Sequence, residues 1–247
     1  MSAPAIEIRG LQKTFGEKKV FVGLDLDIHS GETLTVLGPS GTGKSVLLKL
    51  LMGLEKPDAG SIAVDGKNIV PLSERELRPF RRRIAMLFQG AALFDAMSVG
   101  ENIEYGLKEY EAMKPAEMGA RVAECLAAVG LPGIEAMRPS ELSGGMQKRV
   151  GLARALALKP EMILYDEPTT GLDPSNTVRI NKMIIELNKK FGITSLVITH
   201  DIASALEVSD RIALVADGKL QLMTDAEEAR RSPPAKLEAF MRGEEKL

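Results

Sequence analysis

Short, almost uninterrupted apolar runs recur along the chain, at residues 33–37, 84–88, 162–165, 195–199 and 212–215. They are rich in β-branched residues and leucine and show no alternation. They therefore have no face to offer to water, which predicts buried strands of a sheet covered on both sides. Residues 6–9, 24–28 and 61–64 mix polar with apolar positions and predict half-exposed antiparallel strands. Residues 45–54 predict a helix that stops near Gly53, ahead of Pro57. Residues 175–191 predict another, with Ile180, Met183, Ile184 and Leu187 on one face and Gly192 as its stop. From about Gly90 to Pro160 no strand is predicted, and the Ala, Met, Glu and Leu content favours helix. This stretch reads as a helical lobe inserted into a sheet-based core. Past Gln221 the pattern thins to a polar, charged tail, broken by Pro233-Pro234 before a short amphipathic segment carrying Leu237, Phe240 and Met241.

Composition narrows the class. The 247 residues, 45% hydrophobic and 27% charged, fit one large α/β unit or two close lobes with a core that needs no disulfide. The single cysteine, Cys125, shares an apolar helical phase with Val122, Leu126 and Val129, which predicts a buried thiol in a chain suited to a reducing cytosol. The first ten residues lack a basic stretch followed by an apolar one, so no secretory signal is expected. No window approaches the roughly 20 apolar residues of a membrane span. The richest, residues 46–54, is broken by Lys49, so a role at a membrane would require another chain to supply the span. A net charge of -2 argues against a protein that coats nucleic acid. For Arg81-Arg82-Arg83, a solvated helix end before a strand is favoured over a nucleic-acid or headgroup site.

Specific chemistry enters at Gly38-Pro39-Ser40-Gly41-Thr42-Gly43-Lys44-Ser45, a match to G-x-x-x-x-G-K-[ST] between a predicted strand and a predicted helix. Glycines let successive backbone N–H groups turn inward around phosphate oxygens, and the helix N-terminus adds a favourable dipole. Lys44 would pair with the β- and γ-phosphates, and the Ser45 hydroxyl would join the shell of Mg²⁺. At ordinary residue usage such a match arises by chance about once in a hundred chains of this length. The strand–loop–helix context makes chance rarer still.

A second strand, residues 162–165, ends in Asp166-Glu167. An acid at such a strand end reaches the metal that Ser45 holds, which makes Asp166 the second metal ligand. Glu167 is placed to polarise the attacking water as a general base. The competing reading, a turn before Pro168, leaves two carboxylates at a buried strand end without a cation, which is costly. His200 follows the strand at 195–199 and could contact the γ-phosphate or help place water; alone, such a histidine is more often structural. Gln89 follows residues 84–88 and could reach the metal or sense the γ-phosphate, although a strand-end glutamine is usually polar surface.

Leu142-Ser143-Gly144-Gly145-Met146-Gln147 opens a predicted helix with two glycines, a second anion cradle. One chain with one nucleotide has no use for two distant cradles. The simplest arrangement is a head-to-tail dimer in which this one serves the nucleotide of another copy. With this segment the chain resembles the ABC ATPase family over nearly its whole length. The family's motifs occur in order: the Walker A loop at residues 38–45, the Q-loop at Gln89, and the signature Leu142-Ser143-Gly144-Gly145-Met146. They continue with Walker B ending at Asp166, the catalytic Glu167, the D-loop Gly171-Leu172-Asp173 and the switch His200. Phe15 matches the aromatic that stacks on adenine, or serves as a core residue. Met146 departs from the commonest signature, which has glutamine there; a backbone cradle survives the change.

The resemblance implies a P-loop fold with a mixed-sheet core, an antiparallel β subdomain and an inserted helical subdomain, spanning residues 1–225 with a C-terminal tail at 226–247. It also implies catalytic roles for Lys44, Gln89, Glu167 and His200, with ATP and Mg²⁺ as cofactors. Gln89 would join Ser45 and Asp166 at the metal, and Asp173 and residues 143–145 would join the nucleotide site. The dimer would close on two ATP molecules and drive a membrane-embedded permease that docks near Gln89. Phe88-Gln-Gly-Ala-Ala-Leu-Phe94-Asp95 and Tyr165-Asp-Glu-Pro-Thr-Thr-Gly171-Leu-Asp-Pro174 look like the ATPase of bacterial MCE-type phospholipid transporters, the group that includes the Mla system. That similarity implies an MCE-domain protein and a small STAS-domain protein as partners, and a peripheral place on the cytoplasmic face of the inner membrane. An amino-acid or other solute importer is the alternative. A soluble ABC protein acting on DNA or ribosomes usually has long coiled coils or two cassettes, and this chain shows neither.

Overall fold

A computed structural model describes residues 4–244. The outermost residues assigned above to the ATPase domain and to the tail, 1–3 and 245–247, lie outside the described residues.

Two sheets organise the chain. β1 (Pro4–Phe15), β2 (Lys18–His29), β4 (Ala59–Val64) and β5 (Lys67–Asn68) form an antiparallel sheet in the order β2-β1-β4-β5. Its inward positions, among them Ile6, Ile8, Leu24, Leu26, Ile28 and Ile62, are buried, and their neighbours along the strands face outward, the period-2 signature of a one-sided sheet. β3 (Thr33–Leu37), β6 (Ile84–Leu87), β7 (Met162–Asp166), β8 (Thr194–Thr199), β9 (Arg211–Ala216) and β10 (Lys219–Asp225) form the second sheet. Its order is β10-β9-β3-β8-β7-β6, parallel except for β10 against β9. Every residue of β3, β7 and β8 is buried, as the continuous apolar runs predict.

The helices are α1 (Lys44–Leu51), α2 (Glu74–Arg83), α3 (Val99–Tyr110), α4 (Pro115–Ala128), α5 (Gly144–Leu156), α6 (Pro174–Phe191), α7 (Ile202–Val208), α8 (Ala226–Arg231) and α9 (Ala235–Met241). Leu47, Leu48, Leu50 and Leu51 of α1 pack between the two sheets with Leu34, Val36, Leu164 and Leu196. The segment read as a helical lobe contains α3, α4 and α5, and Ile103, Val122, Leu126, Val150 and Leu152 share one core with Tyr165 and Ile184 of the main body. Cys125 is buried there, and desolvation pushes its thiol up to about 11.

Two expectations change. The segment past Gln221 is no loose tail: β10 continues to Asp225, and α8 and α9 fold back over the sheet. Ala226, Ala229 and Leu237 are fully buried against Leu37, Ala205, Ile212 and Leu214, with Phe240 packed beside them and Met241 exposed. Leu237 and Phe240 showed an apolar face that could pack on the chain's own core, and they do; alanines carry little apolar signal in a charged sequence, so the share of Ala226 and Ala229 was hidden. Arg81, Arg82 and Arg83 are a helix end, as favoured, but they are engaged rather than free. Arg81 donates to the carbonyls of Met52 and Gly53, Arg82 pairs with Glu111, and Arg83 pairs with Asp65 and Glu161.

Candidate nucleotide-binding site

The parallel strands β3, β7 and β8 end together, and crevices beyond the carboxyl ends of such strands are where α/β sheets bind ligands. The loop after β3 carries residues 38–43 into α1. Gly43 holds φ 92°, and a Cβ there would lie 2.0 Å from Val20 Cγ1. At Gly38 a Cβ would lie 2.2 Å from the Val215 carbonyl oxygen, so Gly38 is required by space and Gly43 by both space and torsion. Thr42 Oγ1 donates to the Pro39 carbonyl and fixes the turn, at 2.9 Å.

Lys44 is buried, and its ammonium donates to the carbonyls of Gly38 (2.7 Å) and Pro39 (2.9 Å) across the mouth of the loop. Burial lowers its pKa, and the carboxylates of Glu167 and Asp166 oppose that. Two neutral carbonyls compensate an ammonium less well than anionic oxygens do, which leaves Lys44 suited to exchange them for phosphate. Next to it, Ser45 Oγ donates to Asp166 Oδ1 at 2.9 Å. Asp166 is buried and its pKa is raised, first by desolvation. A hydroxyl and an under-compensated carboxylate that converge beside a phosphate cradle fit Mg²⁺, a hard cation that takes a few protein oxygens and the rest from phosphate and water. No group of three or more His, Cys, Asp or Glu among the described residues is arranged to hold a metal ion, so the protein alone does not offer a closed metal cage.

Glu167 stands one residue past β7 with φ 48°, a left-handed conformation unusual for a side-chain-bearing residue. Its carboxylate accepts from Thr170 Oγ1 (3.0 Å) and Thr199 Oγ1 (3.2 Å) and lies 3.0 Å from His200 Nδ1. Sequence reasoning missed the two threonines. Their only signal is position, one beside His200 and one three residues after Glu167.

A cavity of about 440 Å³ joins these groups, lined by Phe15, Lys18, Val20, Ser40, Gly41, Gly43, Lys44, Ser45, Val46, Gln89, Glu167 and His200. Phe15 is exposed at one side, with Lys13 Nζ 4.7 Å from its ring centre, which suits a stacking platform better than a core role. Gln89 reaches the cavity from the end of β6 and makes no hydrogen bond to Ser45 or Asp166 among the described residues. Lys18, also unforeseen, donates to the Gly41 carbonyl at 3.0 Å.

Ser143, Gly144, Gly145 and Asp173 do not line that cavity. Ser143 caps α5, accepting from the Met146 N–H at 3.3 Å. Asp173 caps α6, and its hydrogen bonds, first from Ser175, hold its carboxyl well below the usual range. The two caps abut: a Cβ on Gly145 would come within 2.6 Å of the Asn176 side chain, which itself donates to Asp173. The second cradle is thus a built surface next to the D-loop, away from this chain's own phosphate loop. The exposed segment after Gln89 is divided. Ala91 is buried, and the fork of Arg154 holds the carbonyls of Ala91 and Ala92 at 2.7 Å each, while Phe94 stays exposed beside Tyr105.

A larger cavity, about 620 Å³, opens at the other end of the sheet near Arg83, Cys125, Met162 and Phe191. It has no phosphate loop, and its arginines, Arg83 and Arg121, are already paired with Asp65, Glu161 and Glu124. Chemistry, rather than size, makes the smaller one the candidate nucleotide site.

The sequence profile described as ABC transporter matches residues 21–170. A probable ribonucleotide transport ATP-binding protein, mkl of Mycobacterium leprae, is 44% identical over 85% of this chain and 61% of its own length. The chain thus spans about three fifths of that relative. The intermembrane phospholipid transport system ATP-binding protein MlaF of Escherichia coli is 38% identical over 98% of this chain and 90% of its own. Among solved structures, a dimeric post-hydrolysis ATP-binding cassette bound to ADP and Pi superposes with a TM-score of 0.83, at 34% identity, over 90% of this chain and 98% of that one.

Proposed function

Because this chain belongs to the ABC transporter family, whose cassettes bind ATP with Mg²⁺, we propose that it is the ATP-hydrolysing subunit of a transporter that moves phospholipid and supports outer-membrane lipid asymmetry. The observation that carries the hydrolytic part is the convergence of Lys44, Ser45, Glu167 and His200 on one cavity, with Asp166 behind Ser45. The lipid part rests on likeness to MlaF over nearly the full length of both chains.

In this reading the loop N–H groups and Lys44 bind the β- and γ-phosphates, and Phe15 stacks on the base. Ser45 and Asp166, with Gln89, would hold Mg²⁺, which neutralises charge developing between the β- and γ-phosphates. Glu167 takes the proton of the attacking water, and His200 turns from Glu167 toward the γ-phosphate as the site fills. Ser143, Gly144, Gly145 and Asp173 complete the site of a second copy. The dimer would drive integral membrane permease subunits from the cytoplasmic face of the bacterial inner membrane, with an MCE-domain protein and a small STAS-domain protein as further partners. No helix among the described residues is long and apolar enough to cross a membrane, consistent with a peripheral subunit.

The tests separate the two parts. Lys44→Ala weakens ATP binding by calorimetry; unchanged affinity would remove the phosphate cradle from the mechanism. For the cargo, the chain is captured from its native membranes and the co-purifying proteins and lipids are identified. An MCE-domain protein with bound phospholipid supports the reading. A periplasmic solute-binding protein replaces it with the solute-importer alternative, which the similarity to mkl keeps open.

A further inference from the structure

Lys148 lies on the first turns of α5, five residues after Ser143, and is 5% exposed. Its ammonium makes one hydrogen bond among the described residues, to the backbone carbonyl of Glu167, at 3.1 Å. Burial lowers its pKa, opposed by the charges of Asp166 and Glu167. A buried ammonium on a long flexible stem is a costly way to fill core space on a helix whose Val150 and Leu152 are also buried.

What it holds is the one strained residue of the site. Glu167 has φ 48°, a conformation that disfavours any residue with a Cβ. Its N–H donates to the Ile198 carbonyl at 2.8 Å, which anchors it to β8. Its carbonyl accepts from Lys148 and, more distantly, from the Thr170 N–H at 3.3 Å. Lys148 is therefore the tie between the peptide unit of the catalytic base and the helix whose N-terminus carries Ser143, Gly144 and Gly145.

We propose that Lys148 is a positioning residue for hydrolysis: it pins the Glu167 peptide in its left-handed conformation and links the base of one site to the signature helix that serves the other. This rests on the reading of Glu167 as base and of residues 143–145 as acting on a second copy. The link runs within one chain, so a movement of α5 on engaging the partner's nucleotide is felt at the Glu167 peptide. Contact between the caps of α5 and α6 is a second route, but it reaches Asp173 rather than the base.

The test uses the purified full-length chain with ATP and Mg²⁺. Lys148→Met keeps the stem and removes the donor; Lys148→Arg and Lys148→Gln keep a donor at different reach, and mant-ATP binding reports that each variant is folded. The expected result is a kcat for Lys148→Met lower by about ten- to a hundredfold, with KM within about twofold, and partial recovery in Lys148→Arg. In a Glu167→Gln background, Lys148→Met should still dimerise on ATP as well as Glu167→Gln alone. A wild-type kcat in Lys148→Met overturns the proposal, as does a loss confined to KM. Failure of the double variant to dimerise, where Glu167→Gln succeeds, means that Lys148 only holds the signature helix in place and also overturns it. If all three Lys148 variants fail to bind mant-ATP, the residue is structural and the proposal falls. Turnover that survives in Glu167→Gln itself sinks the underlying reading of the base, a result distinct from any of these.

Discussion

His200 Nδ1 lies 3.0 Å from both carboxylate oxygens of Glu167, across the mouth of the cavity that holds Lys44 and Ser45. Thr170 and Thr199 donate to the same carboxylate, so the group cast as base is held by three side chains, one from the turn after β7 and two from the end of β8 and the residue after it. A carboxylate oriented by hydrogen bonds loses little freedom when a water must be aligned for in-line attack. His200 is about half exposed, which leaves its ring free to turn without rearranging the core.

Replacing Glu167 by Gln preserves the size of the side chain, leaves one oxygen to accept from Thr170 and Thr199, and removes the charge and basicity. Steady-state phosphate release should fall by about 10²- to 10⁴-fold, the usual contribution of a general base. ATP affinity should hold, and an ATP-bound dimer should accumulate on size-exclusion chromatography. Near-normal hydrolysis would assign the base elsewhere.

Ser143→Arg puts a long cation at the N-cap of α5, on a surface that does not line this chain's own cavity. ATP binding by the isolated chain should be unaffected, whereas ATP-driven dimerisation and hydrolysis should be lost. A Ser143→Arg chain that still dimerises on ATP would contradict the composite site.

Gly43→Ala tests the loop by steric means. The new methyl meets Val20 Cγ1 at 2.0 Å and occupies a backbone at φ 92°. Overpacking costs about 1–3 kcal/mol, and relief by moving the loop misplaces its N–H groups. Calorimetry should show ATP affinity at least tenfold weaker. A Gly38→Ala variant, blocked by the Val215 carbonyl, should behave alike.

Leu237 of α9 is fully buried against α7, α8 and the sheet. Leu237→Ala should destabilise the isolated chain by about 2–5 kcal/mol, lowering Tm by about 2–4 °C for each kcal/mol. An unchanged Tm would mean that α9 leaves this core in solution, as a segment committed to a partner would.

The strands at 33–37, 84–87, 162–166 and 194–199 were legible because a doubly covered parallel sheet demands apolar side chains on both faces. The phosphate loop was legible because its chemistry is local: consecutive N–H groups, a lysine and a hydroxyl within eight residues. Long-range partners without motif status were not. Nothing in the sequence ties Thr199 or Lys148 to Glu167, and nothing in a charged C-terminal stretch betrays that Ala226 and Ala229 are buried. Strand order alone brings residues 121 positions apart, Ser45 and Asp166, into one hydrogen bond.

By itself the sequence determined the buried strands of the parallel sheet, the phosphate cradle and the motif residues that could bind and hydrolyse a nucleotide, because periodicity and turn chemistry are short-range. The tertiary structure decided how those residues meet. It set Asp166 on Ser45, His200 and two threonines on Glu167, and Lys148 beneath it, and it set the signature cap apart from the loop that it resembles in function. The reason is geometric: a parallel sheet gathers the ends of strands far apart in sequence, and only their order in space says which side chains become neighbours.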